Sequence, residues 1–246
     1  MGIFDRPGLR YTSHRGFRPL APDNSLPGFE YAGILKQWAI KTDVHMSADG
    51  ILVCCHNTTV EETYDGSGLI SELSWQEISK MRMDSGSRLD CFTDEQKRMP
   101  LFSEYLAICR KYGSVPFVEL KTDDVLPVIQ AIHKAGFQDD EVVISTTSLD
   151  RLIETRKHSK ELFVHWIFAE EERIETLTRL GNAGLSWNIS NSFECPMSKI
   201  EHPHKLGLKV CLRAADSVKT VNHMLSLGVD YLPTNCMHEI LQGVNI

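Results

Sequence analysis

Basic residues are in the minority. Lys and Arg number 26 against 33 Asp and Glu, for a formal net charge of -7 and a pI near 5.8. The basic footprint of a nucleic-acid-binding surface is therefore missing. An anionic substrate has to be met by local positive charge or by a metal, since the overall field repels it. No apolar run approaches the ~18 residues of a membrane span, which speaks against stable membrane insertion. The first residues, Met1-Gly2-Ile3-Phe4-Asp5-Arg6-Pro7, lack the basic start and apolar run of a secretory leader, and Arg6 stands where a myristoylation signal has Ser or Thr. The seven cysteines form no CxxC pair, and Cys54-Cys55 are neighbours in an apolar strand. That is the pattern of reduced, buried thiols. The expectation is a cytoplasmic protein. Without a heptad seam, nothing in the sequence speaks to oligomeric state.

What is present is ordinary globular usage, 42% hydrophobic and 24% charged over 246 residues, enough for two small domains or one large α/β barrel. The pattern predicts strands at 9–13, 39–46, 51–56, 115–120, 142–146, 162–168, 185–189, 209–213 and 229–232. Helices are predicted near 27–37, 74–83, 102–112, 123–135, 148–158, 170–180, 196–206 and 216–227, with a terminal helical turn after the last strand. Strands alternating with helices of this length imply right-handed βαβ units on a parallel sheet. Asp49-Gly50 between two apolar runs is a hairpin signal. With that hairpin strand set aside, eight strands remain, which closes a (β/α)8 TIM barrel. An open doubly wound sheet is disfavoured because no Gly-rich phosphate loop follows the first strand. No linker or composition shift divides the chain, so one domain over 1–246 is expected, with an insertion over about 57–100 that covers one end of the barrel.

The candidate chemistry concentrates between Ser13 and His56. His14 and Arg15 leave the first strand, Lys41 and Asp43 lie on the second, and His56 ends the hairpin return. Strand ends are where a barrel of this kind keeps its site. Two histidines on opposite sides of a phosphorus centre can serve as base and acid. Arg15 offers bidentate donors to phosphoryl oxygens. Asp43 with Glu119 could hold Mg²⁺ or Ca²⁺, and Lys121, two residues past Glu119, points to the same side of its strand.

His14-Arg15-Gly16 followed by Pro22-Asp23-Asn24-Ser25 resembles the HRG…PENT opening of glycerophosphodiester phosphodiesterases. Asp43-Val44, Asp49-Gly50, Leu52-Val53 and His56 resemble that family's E-x-D-V…DG…VV-x-HD segment. Glu119-Leu120-Lys121 resembles its E-[IL]-K strand, and Gly228-Val229-Asp230 with Thr234 its closing G-V-D…T. The resemblance implies a TIM barrel that hydrolyses a small glycerophosphodiester to glycerol 3-phosphate and an alcohol with a divalent cation. It makes His14 and His56 the acid–base pair, Arg15 a phosphate contact, and Asp43 and Glu119 metal ligands.

Four departures bear on that reading. Lys41 replaces the family's first metal-binding Glu, and strand alternation puts its amine on the same face as Asp43. An ammonium cannot ligate a cation, and the change of two charge units weighs on the order of several kcal/mol against a dication. Three readings follow: the ammonium replaces the metal; a metal persists with Lys41 swung onto the substrate; or the barrel only binds a phosphoester. Asp23 and Asn57 replace the Glu of PENT and the Asp after the second histidine, and with Asn24 these are expected to orient the site. Arg213 stands where the family commonly has Trp, either a solvated strand end or a contact to a second anionic group on the substrate. Trp187, at the same rim, reads as a core residue rather than a stacking platform. His45, His165, His202 and His204 read as surface or core residues.

Overall fold

The structure, a computed structural model, describes residues 2–6 and 8–235. Nine strands form one sheet: β1 (Tyr11–Ser13), β2 (Ala39–Met46), β3 (Leu52–Cys54), β4 (Val115–Leu120), β5 (Val143–Thr146), β6 (Phe163–Ile167), β7 (Ala183–Ser186), β8 (Lys209–Cys211) and β9 (Leu232–Thr234). Eight of them run parallel in the order β8-β7-β6-β5-β4-β2-β1-β9, and β3 pairs antiparallel with β2 off that path. The two ends of the order meet through Asp230 N to Val210 O and Ala215 N to Pro233 O, each 2.8 Å. The result is the expected TIM barrel, with the Asp49-Gly50 hairpin as an excursion.

Helices α1 (Leu26–Ile34), α3 (Phe102–Tyr112), α4 (Val125–Lys134), α5 (Leu149–His158), α6 (Ile174–Leu180), α7 (Ser198–Lys205) and α8 (Val218–Leu227) wrap the sheet, and a short α2 (Trp75–Ile78) lies in the 57–100 segment. Their starts are set locally. Ser25, Ser148 and Ser217 each accept a hydrogen bond from a backbone amide of the first turn, and left-handed Gly113 and Gly228 end α3 and α8. β2, β4 and β5 bury almost every residue on both faces, as parallel strands under helices must.

Strand boundaries shift by up to three residues, most at β7 and β9. β7 begins at Ala183, not 185, because Gly184 is needed there. A Cβ would meet Lys209 O at 2.8 Å and the Phe163 ring at 2.7 Å. A small residue packs where strand propensity gives no signal. β9 is Leu232–Thr234, beyond the predicted 229–232, because Pro233, which lacks a backbone N–H, reads as a turn residue in the sequence. The predicted α2 of ten residues is four, and the predicted terminal helical turn lies outside the described residues.

Residues 57–100 bring their own small core, in which Val60, Tyr64, Ile70, Ile78, Met83 and Met99 pack on Val53 and Cys55 of the hairpin. Phe4, Trp38, Phe163 and Tyr231 close the opposite end of the barrel with an aromatic cluster. Among the described residues no helix is long and apolar enough to cross a membrane.

Candidate active site

Register decides the centre of the site. β2 and β4 pair so that Asp43 lies opposite Glu119, bringing two carboxylates side by side at the carboxyl end of the barrel. Both are buried, and Asp43 is wholly inaccessible. Lys41, two residues earlier on the same face, fills the gap. Its Nζ stands 3.0 Å from Asp43 Oδ1 and 2.6 Å from Glu119 Oε2. Lys121 Nζ pairs with the other Glu119 oxygen and approaches Asp43 Oδ1 at 3.6 Å. Arg15 Nε lies 3.4 Å from Asp43 Oδ2, and Asn24 Nδ2 donates to that oxygen at 3.0 Å. Burial would by itself raise the Asp43 pKa, yet Lys41, Arg15 and Lys121 together hold it well below the usual carboxylate range. Burial likewise opposes the Lys41 charge, and Asp43 and Glu119 outweigh it and raise its pKa.

The loop after β1 carries the second layer. Arg15 and Asn24 hold left-handed conformations, φ 66° and 48°, and Gly16 follows at φ 89°. A Cβ on Gly16 would sit 2.8 Å from the Gly28 backbone, so only glycine lets this loop close on α1. The turn delivers Arg15 and Arg18 to Asp23, at 3.3 Å and 2.6 Å. Asn24 Oδ1 accepts from Thr42 Oγ1 at 2.9 Å, which ties the loop to β2.

Both histidines are held in the same way. His14 Nδ1 lies 3.0 Å from Asn235 Oδ1, and Asn235 Nδ2 donates to Asp216 Oδ2 at 2.7 Å. His56 Nδ1 lies 2.6 Å from Asn57 Oδ1, and Asn57 Nδ2 donates to Glu62 Oε2 at 2.6 Å. In each chain the carboxylate fixes which way the amide faces. An amide oxygen only accepts, so each imidazole carries its proton on Nδ1 and leaves Nε2 free. Burial, with Lys41 and Arg15 adding to it, pushes the His14 pKa down to about 3. Burial, with Arg15 close by, lowers that of His56. Both rings are neutral at pH 7.

His14, Arg15, Arg18, Lys41, His56, Glu119 and Lys121 line one cavity of about 500 Å³. Asn57, Glu62, Thr63 and Tyr64 of the 57–100 segment line an adjoining cleft beside His56. Arg15, Arg18, Lys41 and Lys121 against Asp23, Asp43 and Glu119 leave one positive charge over, the complement of a phosphodiester monoanion.

The residues present do not fit a divalent cation between Asp43 and Glu119. Such an ion needs a shell of oxygen donors, and the Lys41 ammonium already lies within hydrogen-bond range of both carboxylates. Among the described residues no cluster of three His, Cys, Asp or Glu side chains is placed to hold a metal.

Of the residues expected from sequence, His14, Arg15, Lys41, His56, Glu119, Lys121 and Arg213 share this cavity, Asp43 lies beneath it, and Asp23, Asn24 and Asn57 hold its members. Trp187 is buried, with its indole N–H on Lys199 O at 2.7 Å, as a core residue is. Asn235, Asp216, Glu62 and Arg18 were not anticipated. Only Asn235 had a signal, as the residue after Thr234. His165, read as a surface or core residue, is buried and also lines the cavity, with Nε2 3.3 Å from Ser186 Oγ and Nδ1 against the Tyr231 hydroxyl.

His165 and His45 are buried, and burial pushes their pKa values down to about 3 and about 4. The unfolded chain takes up protons at both below pH ~6.5 while the native state does not. Their contribution to stability is therefore complete above pH ~6.5 and is lost as pH falls toward 4, at up to about 1.4 kcal/mol per pH unit for each histidine. Melting temperatures between pH 7 and 4.5 should fall accordingly. His165→Gln and His45→Gln should each flatten the slope, and slopes equal to wild type would refute this.

An eight-stranded parallel barrel with two neutral histidines and a cluster of ion-paired cationic side chains at its carboxyl rim defines a TIM-barrel protein with a polar, charge-lined site. The chain belongs to the glycerophosphoryl diester phosphodiesterase family, whose model matches residues 14–238. Human glycerophosphodiester phosphodiesterase 1 is 31% identical over 117 residues, 47% of this chain and 35% of that protein. The glycerophosphodiester phosphodiesterase of Caldanaerobacter subterraneus subsp. tengcongensis is 28% identical over 163 residues, 63% of this chain and 65% of that one. The match spans about a third of the length of the mammalian relatives. Among solved structures, an Oleispira antarctica phosphodiesterase in complex with the product sn-glycerol-3-phosphate superimposes with a TM-score of 0.85 at 21% identity, covering 99% of each chain. A Silicibacter pomeroyi glycerophosphoryl diester phosphodiesterase homologue gives 0.79 at 19%, covering 99% of this chain and 97% of the other.

Proposed function

We propose that this chain hydrolyses a small glycerophosphodiester to glycerol 3-phosphate and an alcohol, with His14 and His56 as the acid–base pair and Lys41 in the place of the divalent cation. The observation that carries the reading is the pair of ammonium groups locked between Asp43 and Glu119 beneath two histidines with free Nε2 atoms. Arg15, Lys41 and Lys121 face the phosphoryl oxygens and neutralise charge that builds up on them, in a cavity where fixed charges act strongly. His14, neutral at pH 7, takes the proton of the attacking water through Nε2. His56 acts from its protonated form, in which Nε2 carries a proton taken from solvent and gives it to the departing alkoxide. Asp23 and Asn24 keep Arg15 and Asp43 in place, while Asn57 and Asn235 keep the imidazoles aimed.

Hydrolysis of glycerophosphocholine and of bis(p-nitrophenyl) phosphate tests this, in EDTA and with added Mg²⁺ or Ca²⁺. Turnover should be undiminished by EDTA. Turnover that needs added metal would overturn the role given to Lys41. No turnover under any condition, with glycerol 3-phosphate still raising the melting temperature, would make this a phosphoester-binding barrel.

A further inference from the structure

The charge balance of the cavity leaves one residue outside. Arg15, Arg18, Lys41 and Lys121 are all ion-paired within the phosphate centre. Arg213, two residues beyond β8, lines the same cavity, yet among the described residues it has no carboxylate partner. Its guanidinium lies 5.3 Å from the centroid of Phe168, another cavity residue, held at φ 59° after β6. A planar cation stacked on an aromatic face keeps its edge donors free.

Arg213 also borders a second cleft of about 290 Å³, formed by the loops after β7 and β8, and shares Ser190 and Ala214 between the two. Three features of this cleft suit an anion. The first turn of α8, a ten-residue helix, contributes Ser217 and Thr220, so the positive end of its dipole faces the space. Ser192 also lines it. This residue is 6% exposed, and among the described residues its hydroxyl has no hydrogen-bond partner, a state that costs free energy unless a ligand supplies one. Lys219 lies at the same end, with its Nζ 5.1 Å from the centroid of the cleft residue Phe193. Asp216, the one acid among the described residues of the cleft, is engaged by the Asn235 backbone and side-chain N–H groups at 2.8 Å and 2.7 Å.

We propose that this cleft, with Arg213 at its mouth, is a second anion subsite, and that the substrate is a phosphodiester bearing a further carboxylate or phosphate beyond the scissile group. The proposal rests on the phosphodiester reading of the neighbouring cavity and names the substrate class that cavity serves. The subsite grips the distal anion while the phosphate centre holds the diester.

Two matched substrate pairs test it. Glycerophosphoserine and glycerophosphoethanolamine differ by one carboxylate. Glycerophosphoglycerol and its terminal phosphate ester differ by one phosphate. Wild type should favour the additional anion in at least one pair by about tenfold in kcat/KM, on the order of one good ionic contact, and the favoured pair says which anion it is. Arg213→Gln should bring that ratio close to one. Arg213→Glu should invert it toward the member of that pair without the additional anion. Dissociation constants from calorimetry on the same ligands separate this proposal from the hydrolytic one. Selective binding without turnover leaves the subsite standing and removes hydrolysis. Equal turnover and equal binding within both pairs, or a preference that survives Arg213→Gln, overturns the subsite.

Discussion

His14→Ala and His56→Ala should each lower kcat by about 10²–10⁴-fold, the range for loss of a positioned acid or base. The double variant should be little worse than either single one, since both act in one proton-transfer cycle. Steady-state rates on a common diester are the check, and near-wild-type rates in either variant would remove the acid–base pair. The pH profile carries more. As base, His14 must be neutral, and its pKa near 3 puts that limb of kcat/KM far on the acid side. As acid, His56 must be protonated, so activity falls as pH rises through its pKa, which burial holds below the ordinary 6.5. The alkaline limb should therefore lie below pH 6.5. Asn57→Asp combined with Glu62→Gln moves the carboxylate from the far end of the chain onto the imidazole without changing net charge. That exchange should raise the His56 pKa and carry the alkaline limb upward, whereas residues that merely support the fold would leave the limb in place.

The parts legible in the sequence were those written in local pattern. Strand–helix alternation and the Asp49-Gly50 turn point to the barrel, and alternation along β2 alone puts Lys41 beside Asp43. The pairing of Asp43 with Glu119 was less accessible, because it depends on the register between β2 and β4, and no local rule sets that. Long-range polar partners were harder still. Asp216 and Asn235 reach His14 from the loops after β8 and β9, more than 200 residues away along the chain. Beyond the Thr234 that precedes Asn235, nothing in the composition of those loops marks them. Glu62 meets Asn57 because the 57–100 segment folds back on its own apolar core. Gly184 and Pro233 hid strands because neither residue type carries strand propensity.

Lys41→Met should be the most damaging single substitution. It removes the ammonium that Asp43 and Glu119 share and leaves two buried carboxylates with only Lys121 and Arg15 near them. Breaking a buried pair from one side costs about 3–5 kcal/mol, because the charge left behind has lost its water and its partner. Thermal unfolding should show that loss, and activity should fall with it, since the site's single surplus positive charge is gone. Lys41→Glu separates stability from metal chemistry. It shifts the local charge by two units and adds a third oxygen donor beside Asp43 and Glu119, the arrangement a hard dication accepts. In EDTA this variant should melt well below wild type. With Ca²⁺ or Mg²⁺ its melting temperature should recover, since a cation at a hundred times its dissociation constant stabilises by about 2.7 kcal/mol. Wild type should not respond to either ion. A wild-type melting temperature that rises with Ca²⁺ as much as the variant's would mean that Lys41 yields its place to a cation, and the ammonium would lose the role its geometry gives it.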